Sequence, residues 1–480
     1  MTAALANVPS LPNLALSDDE RALWNRLRKR LADERPALEL LDLYYNGEQR
    51  MTTTGVSLPP ELANMRQVPG WARLAVDPMQ DRLSVEGFRY PGAVDADDDM
   101  WTLWQDSNLD SESDLAHTDG LLFGRSYVVV GTEDDGRPLI TVESPLNMTH
   151  LWDARSRHPR AVLQQYDVDD DRFAALYLPE QTITLGYDGR GWEITGRDVH
   201  RLGWPLVMVM ANRARAHDRG GRSEITPEVR TIVDAGCRTL LDLEVSREFY
   251  AAPQRYILGA AESAFQDAKG NPKSAWETYR GRVLALERDE EGNVPEVGSF
   301  AAYDPSAYTR VIDTYAEIMA SMLGLPPAYL GKNTDQPASA DAIRMSTDRL
   351  VQKVRRRQRS FEIAWEGAIR MALAFRDGQI PDPARRIETI WRAPELPTPA
   401  ATTDALQKQV AMGYMPPRSD VAGEALGYTP LQRARIAAEW DLADGDDALQ
   451  ALLAASGPEE TGPAPDSAEA AAEAEFGPEL

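Results

Sequence analysis

Gly331-Lys332 is the nearest this chain comes to a phosphate-binding loop, in which a lysine reaches the phosphates and a following Ser or Thr holds magnesium. Asn333 stands where that hydroxyl is needed, and Pro326 where the loop's first glycine would be. No nucleotide hydrolysis is expected from it. Gly124-Arg-Ser126 lacks the second glycine of a nucleophile elbow and precedes a strand, whereas the elbow follows one, so Ser126 is read as structural. Asp167-Val-Asp-Asp-Asp171 resembles the start of a calcium loop, but Arg172 replaces its glycine and Leu178 its bidentate acid. A solvated turn is the simpler expectation. The five histidines, His117, His150, His158, His200 and His217, have no metal-binding spacing, and Cys237 has no second cysteine to pair with. Neither a catalytic residue, a metal site nor a cofactor is expected. The basic run Arg355-Arg-Arg-Gln-Arg359 surrounds the apolar seam of a helix, which favours pairing with an acidic neighbour in an assembly over nucleic-acid binding.

The elements that carry these residues are legible from periodicity and punctuation. Ile343, Leu350, Val354, Phe361, Trp365, Ala368 and Ala372 fall on one face of a helix from Asp341 to Arg376. Its length, roughly 54 Å at ~1.5 Å per residue, makes it a strut between layers or subunits. Ser17-Asp-Asp-Glu20 is a capping box for a first helix, which Pro36 is expected to interrupt before a second ends at Gly47. Trp71 to Leu83 reads as a helix broken or kinked at Pro78, and Ser84 to Arg89 as a strand. Helices at Asp98 to Asp106 and Leu109 to Phe123, the second closed by Gly124, lead into a strand at Ser126 to Val130.

Six further strand-like segments follow: Leu139 to Val142, Ala161 to Tyr166, Phe173 to Leu178, Thr182 to Leu185, Trp192 to Ile194 and Leu206 to Met210. With Gly and Asp turns between them, they predict an antiparallel sheet. Thr226-Pro-Glu228 starts a helix to Tyr250. A compact insertion comes next, with strands at Arg255 to Leu258 and Val283 to Glu287. A return helix from Asp304-Pro305 carries Tyr308, Val311, Tyr315, Ile318 and Met322 as its apolar face and closes at Gly324. A strand at Ile387 to Trp391, a Pro-rich hinge and two or three helices to Asp441 complete the ordered part. Residues 441–480 contain eleven acids and no base, a composition expected to be disordered.

Composition bounds the partners. The 480 residues suffice for about three domains. The longest apolar run, Trp204 to Ala211, is too short for a bilayer, and the N-terminus lacks a signal-peptide pattern. A net charge of −25 argues against a broad cationic grip on DNA. Only six of the 51 basic residues are Lys, a feature equally expected of a GC-rich genome.

Five stretches, in this order, resemble the portal proteins of tailed bacteriophages, in particular the actinobacteriophage branch. They are LDLYYNGEQ (41–49), WARLAVDPMQDRLSVEGF (71–88), LLFGRSYVVV (121–130), GRSEITPEVRTIVDAGCRTLLDLEVSREFYAAPQR (221–255) and PASADAIRMSTDRLVQKVRRRQRSFEIAWEGAIRMAL (337–373). The resemblance implies an α+β portal fold: a mixed α/β wing, a two-helix stem, a small α/β clip, a long wing-spanning helix and a helical crown. Placed on this chain, the wing takes residues 1–225, the stem 226–250 and 304–324, and the clip 251–303. The tunnel-loop region is 325–340, the long helix and wing return 341–396, the crown 397–441, and the acidic tail 442–480.

It further implies a homo-oligomeric ring, usually of twelve copies, at one capsid vertex of the virion, assembled in the host bacterial cytoplasm without a membrane. Double-stranded DNA passes through it without sequence-specific contact during packaging and ejection. The implied partners are the terminase large subunit, the major capsid and scaffolding proteins, and head-tail connector proteins. By position, Lys332, Asn333, Thr334, Asp335 and Gln336 would lie nearest DNA. Arg255, Tyr256, Trp276, Tyr279 and Arg282 would meet terminase or connectors in the clip. An acidic channel wall would repel DNA and keep it sliding, with Lys332 a local exception. From the residues alone, a non-ring head-completion adaptor or scaffold and a carboxylate-dependent hydrolase remain open as other readings.

Overall fold

Ser17 starts the first helix as its capping box predicts: its hydroxyl accepts the Glu20 N–H at 3.3 Å, and Glu20 accepts the Ser17 N–H at 2.9 Å. The computed structural model describes residues 16–49, 68–133, 135–250, 255–258, 296–299, 304–331, 340–395 and 399–455. Helix α1 runs from Asp18–Asn46 without the expected break at Pro36. A proline there removes only the N–H that would reach the Ala32 carbonyl. Ala32 and Pro36 are both exposed, so water can serve that carbonyl and the buried face of Trp24, Leu27, Leu31 and Leu38 holds the helix straight through. Pro78 behaves differently. The segment around it splits into a 3-10 turn, Arg73–Ala75, and the one-turn helix α2, Asp77–Gln80, with Pro78 in its first turn.

Helices α3 (Asp98–Asp106) and α4 (Leu109–Phe123) precede strand β2 (Arg125–Thr132), which sits centrally in a three-stranded antiparallel sheet between β3 (Pro138–Glu143) and β9 (Val207–Ala211). Tyr127 lies opposite Glu143 on one side and Val209 on the other. A second sheet is a five-stranded meander: β4 (Met148–Trp152), β5 (Pro159–Val168), β6 (Asp171–Tyr177), β7 (Gln181–Tyr187) and β8 (Trp192–Val199). Strand β4 had no signature in the sequence because four of its five residues are buried, so it shows no alternation. The first half of α1 packs Trp24 and Leu27 against Leu151, Leu163, Leu176, Ile183 and Leu185 of this sheet.

After the sheets come α5 (Pro227–Tyr250), the strand pair β10 (Arg255–Leu258) and β11 (Glu296–Ser299), and α6 (Ser306–Leu323). The expected strand at Val283 to Glu287 lies outside the described residues. Helix α7, Ala340–Asp377, has 38 residues and a length of roughly 57 Å. Its expected face is the buried one from Leu350 on: Leu350, Val354, Phe361, Trp365, Ala368 and Ala372 are at most 1% exposed, while the side chain of Ile343 lies outside the described residues. Trp365 meets Trp104 edge-on with ring centroids 4.9 Å apart and donates its indole N–H to His117 Nε2 at 3.0 Å. Complete burial lowers the His117 pKa to about 3, so the ring is a neutral acceptor there. Strand β12 (Glu388–Trp391) then returns to pair antiparallel with β1 (Val85–Arg89), Phe88 opposite Thr389.

Two glycines make one close crossing possible. Gly221, at φ 83°, would place a Cβ 1.8 Å from the Gly124 carbonyl oxygen, and Gly124, at φ 92°, would place one 2.6 Å from the Arg222 backbone. Two backbone bonds seal the crossing: Asn212 N–H to Gly124 O at 2.9 Å and Arg222 N–H to Asn212 O at 2.7 Å.

The chain divides into two units, Met1–Pro394 and Glu395–Leu480, rather than the three that length suggests. The return of β12 to β1 keeps α7 within the first. In the second, α8 (Pro399–Ala411), α9 (Asp420–Ala425) and α10 (Pro430–Ala455) are helical. Helix α10 thus extends into the segment expected to be disordered from residue 442, because alanines and leucines there favour helix enough to carry it past Gly445. Residues 456–480 lie outside the described residues. No side chain described in this second unit is buried, and Arg418 stacks over Trp440 at 3.9 Å. Among the described residues, no helix is long and apolar enough to cross a membrane.

Candidate functional site

Helices α5 and α6 form a hairpin whose walls and base determine what the molecule can contact. On α5, Val229, Val233, Cys237 and Leu241 recur every fourth residue and are buried. Burial pushes the Cys237 thiol up to about 11, which makes it an unreactive packing group. The Tyr44 hydroxyl donates to Asp234 at 2.8 Å and fastens the hairpin's base to α1. Burial first, then this carboxylate, raise the tyrosine to about 12. The Ser246 and Tyr308 hydroxyls, 3.2 Å apart, join the two helices higher up.

On α6 the packed stripe is Ala316, Met319, Ala320 and Leu323, with Ile312 and Tyr315 against the core. Val311 and Ile318, on the expected apolar face, are each 41% exposed. Helix α5 covers a face rotated from the one that periodicity selects, leaving the 311/318 side open. The apolar face read from the sequence is thus only partly covered, and it leaves an apolar stripe that the described residues do not cover.

Where α6 ends, α7 holds it. Gly324, at φ 69°, closes the helix, and Leu325 N–H returns to Ala320 O at 3.0 Å. Arg349 donates to Ser321 O at 2.9 Å and Lys353 to Leu323 O at 2.5 Å, placing two cations on the carbonyl end of the helix dipole. One turn further along α7, Arg357 reaches Glu224 with Nη2 at 2.6 Å and Nε at 3.0 Å. Asn212 donates to the same carboxylate at 3.1 Å, and Arg213 stands 3.6 Å away. Arg213, Glu224, Leu323, Arg349, Lys353 and Arg357 line a cleft of about 530 Å³ between α5, α6 and α7. Burial lowers the Lys353 pKa, Glu224 opposes that, and the neighbouring cations Arg349, Arg357 and Arg213 add to it.

Each remaining motif has a local structural role. Ser126 is buried and donates to Ala116 O at 2.7 Å. Asp169 and Asp170, both at positive φ, form the two-residue turn between β5 and β6, in which Val168 pairs with Asp171. His150 lies 2.9 Å from the Tyr127 hydroxyl, inside a network where Arg125 also binds Glu34. Among the described residues, no group of three or more His, Cys, Asp or Glu is placed to hold a metal ion. Of the residues singled out in the sequence, Arg255 and Tyr256 stand on β10, opposite Ser299 and Gly298. Lys332, Asn333, Thr334, Asp335, Gln336, Trp276, Tyr279 and Arg282 lie outside the described residues. The cleft residues Glu224, Arg213, Arg349 and Lys353 escaped the sequence reading, which had no spacing rule linking a loop before α5 to α7. Only the basic run at 355–359 pointed towards them.

A helical hairpin bearing a strand pair, braced on a three-stranded sheet by one long helix, defines a structural class of protein. The sequence profile of the family described as phage portal protein, SPP1 Gp6-like, matches residues 25–421. The chain is 34% identical over 453 residues to the portal protein of Mycobacterium phage D29, covering 92% of this chain and 91% of that one. It is likewise 34% identical over 438 residues to the portal protein of Mycobacterium phage L5, covering 89% and 87%. A chain from the virion of a native gene transfer agent particle aligns at a TM-score of 0.46 and 15% identity, covering 83% of this chain and 94% of that one. The chain belongs to the phage portal protein family. Its function is that of a portal, a virion component through which DNA is packaged and ejected.

Proposed function

We propose that twelve copies of this chain form a closed ring at one capsid vertex, with α5 and α6 as its stem and α7 as the strut across the wing. Residues 251–303 form the clip that docks terminase and then the connectors, and Lys332 to Gln336 form the loop facing DNA. Residues 397–441 form the crown. The protein is not itself an enzyme, and the terminase large subunit supplies ATP hydrolysis. One observation carries the reading most directly: α6 is packed on one side only and leaves Val311 and Ile318 uncovered beside a strut of 38 residues. A neighbour in a ring covers such a stripe.

The same reading accounts for the charge. DNA carries about one charge per 1.7 Å of axis, so a channel that let it slide must avoid a cationic wall. A subunit charge of −25 meets that need. A phage in which the gene for this chain carries an early stop codon tests the proposal. Heads should assemble empty and be filled again when the chain is supplied in trans. Filling to normal DNA length without it would refute the reading.

A further inference from the structure

Three cations on successive turns of α7, Arg349, Lys353 and Arg356, line the cleft beside Glu224. Each donates to a backbone carbonyl: Ser321, Leu323 and Gln352 respectively. Among the described residues, none of the three has a carboxylate within ion-pair distance, whereas Arg357 is satisfied by Glu224. The lining therefore sets five cations, counting Arg213, against Glu224 and Glu228, in a chain whose net charge is −25. Local excess of the opposite sign in so acidic a protein calls for an anion from outside the chain.

Position identifies that anion. Met322, half-buried against the core, lines the cleft and lies four residues beyond Ile318 and eleven beyond Val311, at the edge of the open side of α6. The cationic cleft and the uncovered apolar stripe are thus one continuous surface. A phosphate backbone would meet the cations and leave the stripe wet. A protein surface that is net acidic with apolar patches satisfies both, and a second copy of this chain is such a surface.

We infer that the cleft is a socket for carboxylates of the neighbouring copy, seated where that copy covers Val311 and Ile318. The inference rests on the ring reading above and specifies a contact that closes it. Association of like-charged subunits then depends on a few local ion pairs, which salt screens within roughly 8 Å at physiological ionic strength.

Arg356 supplies the cleanest test, because it is exposed and, among the described residues, bonds to a carbonyl of its own helix, so its replacement leaves the fold intact. Assembly of wild type, Arg356→Glu and Arg356→Lys is followed by native mass spectrometry across subunit concentration and salt. We expect Arg356→Glu to need about tenfold more subunit for half-assembly near 0.15 M salt, the gap to close near 1 M, and Arg356→Lys to behave as wild type. In rings mixed from ¹⁴N and ¹⁵N subunits, carbodiimide should couple the Lys353 amine to a carboxylate of the other isotope. Equal assembly of Arg356→Glu and wild type overturns the inference. So does an unchanged ring that merely holds short duplex DNA less well, which would make the cleft a phosphate site. A wild type that stays monomeric would refute the ring itself, a separate failure.

Discussion

Glu224→Ala should lower the melting temperature of the first unit by about 5 °C, because it strands a largely buried cation without its carboxylate. The carboxylate side chain is 5% exposed and its partner Arg357 12%, with bonds of 2.6 and 3.0 Å between them. Removing one member of a buried ion pair costs roughly 3–5 kcal/mol, most of it the penalty of the charge left behind. At about 2.1 cal/mol/K per residue, a unit ending at Pro394 has an unfolding entropy of roughly 0.8 kcal/mol/K, so ~4 kcal/mol becomes ~5 °C. Differential scanning calorimetry at fixed subunit concentration and scan rate measures it. The double variant Glu224→Ala/Arg357→Met removes both charges and should recover most of the loss. A Glu224→Ala variant that melts within about 1 °C of wild type, or a double variant that melts as low as the single one, would show that the stranded charge costs little.

Three further outcomes follow from other parts of the structure. Gly221→Ala should yield no soluble folded subunit, since its Cβ would sit 1.8 Å from the Gly124 oxygen at a φ that alanine disfavours; a native-like circular dichroism spectrum would contradict this. Glu366 is pushed up to about 7 by burial first and Glu362 second, so the native state holds a proton there that the unfolded chain releases near pH 4.5. Its contribution is present below pH 4.5 and lost as pH rises towards 7, so Glu366→Gln should raise the melting temperature by a degree or two at pH 8, on the order of 1–2 kcal/mol after solvent screening, and leave it unchanged at pH 4. Equal effects at both pH values would count against it. Shortening the chain from Asn333 to Pro337 should leave the ring assembled yet reduce packaged DNA length or its retention in purified heads supplied with terminase, and normal packaging would make that loop a passive connector.

What could be read from the sequence depended on whether one local rule decided each element. Ser17, Gly124, Thr226 and Gly324 mark their helix ends because caps act within a few residues. The seam of α7 was legible because one face stays buried from Leu350 to Ala372, whichever element covers it: strands β2, β3 and β9, or helices α3 and α4. Pro36 misled because solvent exposure, not the residue itself, decides whether a lost hydrogen bond breaks a helix. For Val311 and Ile318 periodicity gave the apolar arc but not which part of it is covered, because the contact with α5 chooses that. The Glu224–Arg357 pair joins positions far apart in the chain, and no local pattern carries such a contact.

The central claim, that this chain closes into a ring with a channel for DNA, is tested most directly by cryo-electron microscopy of the purified assembly. The account predicts a closed ring of twelve subunits, Val311 and Ile318 covered by the adjacent copy, and an axial channel wide enough for duplex DNA. A monomer, an open filament, or a ring in which that face of α6 stays in solvent would contradict it.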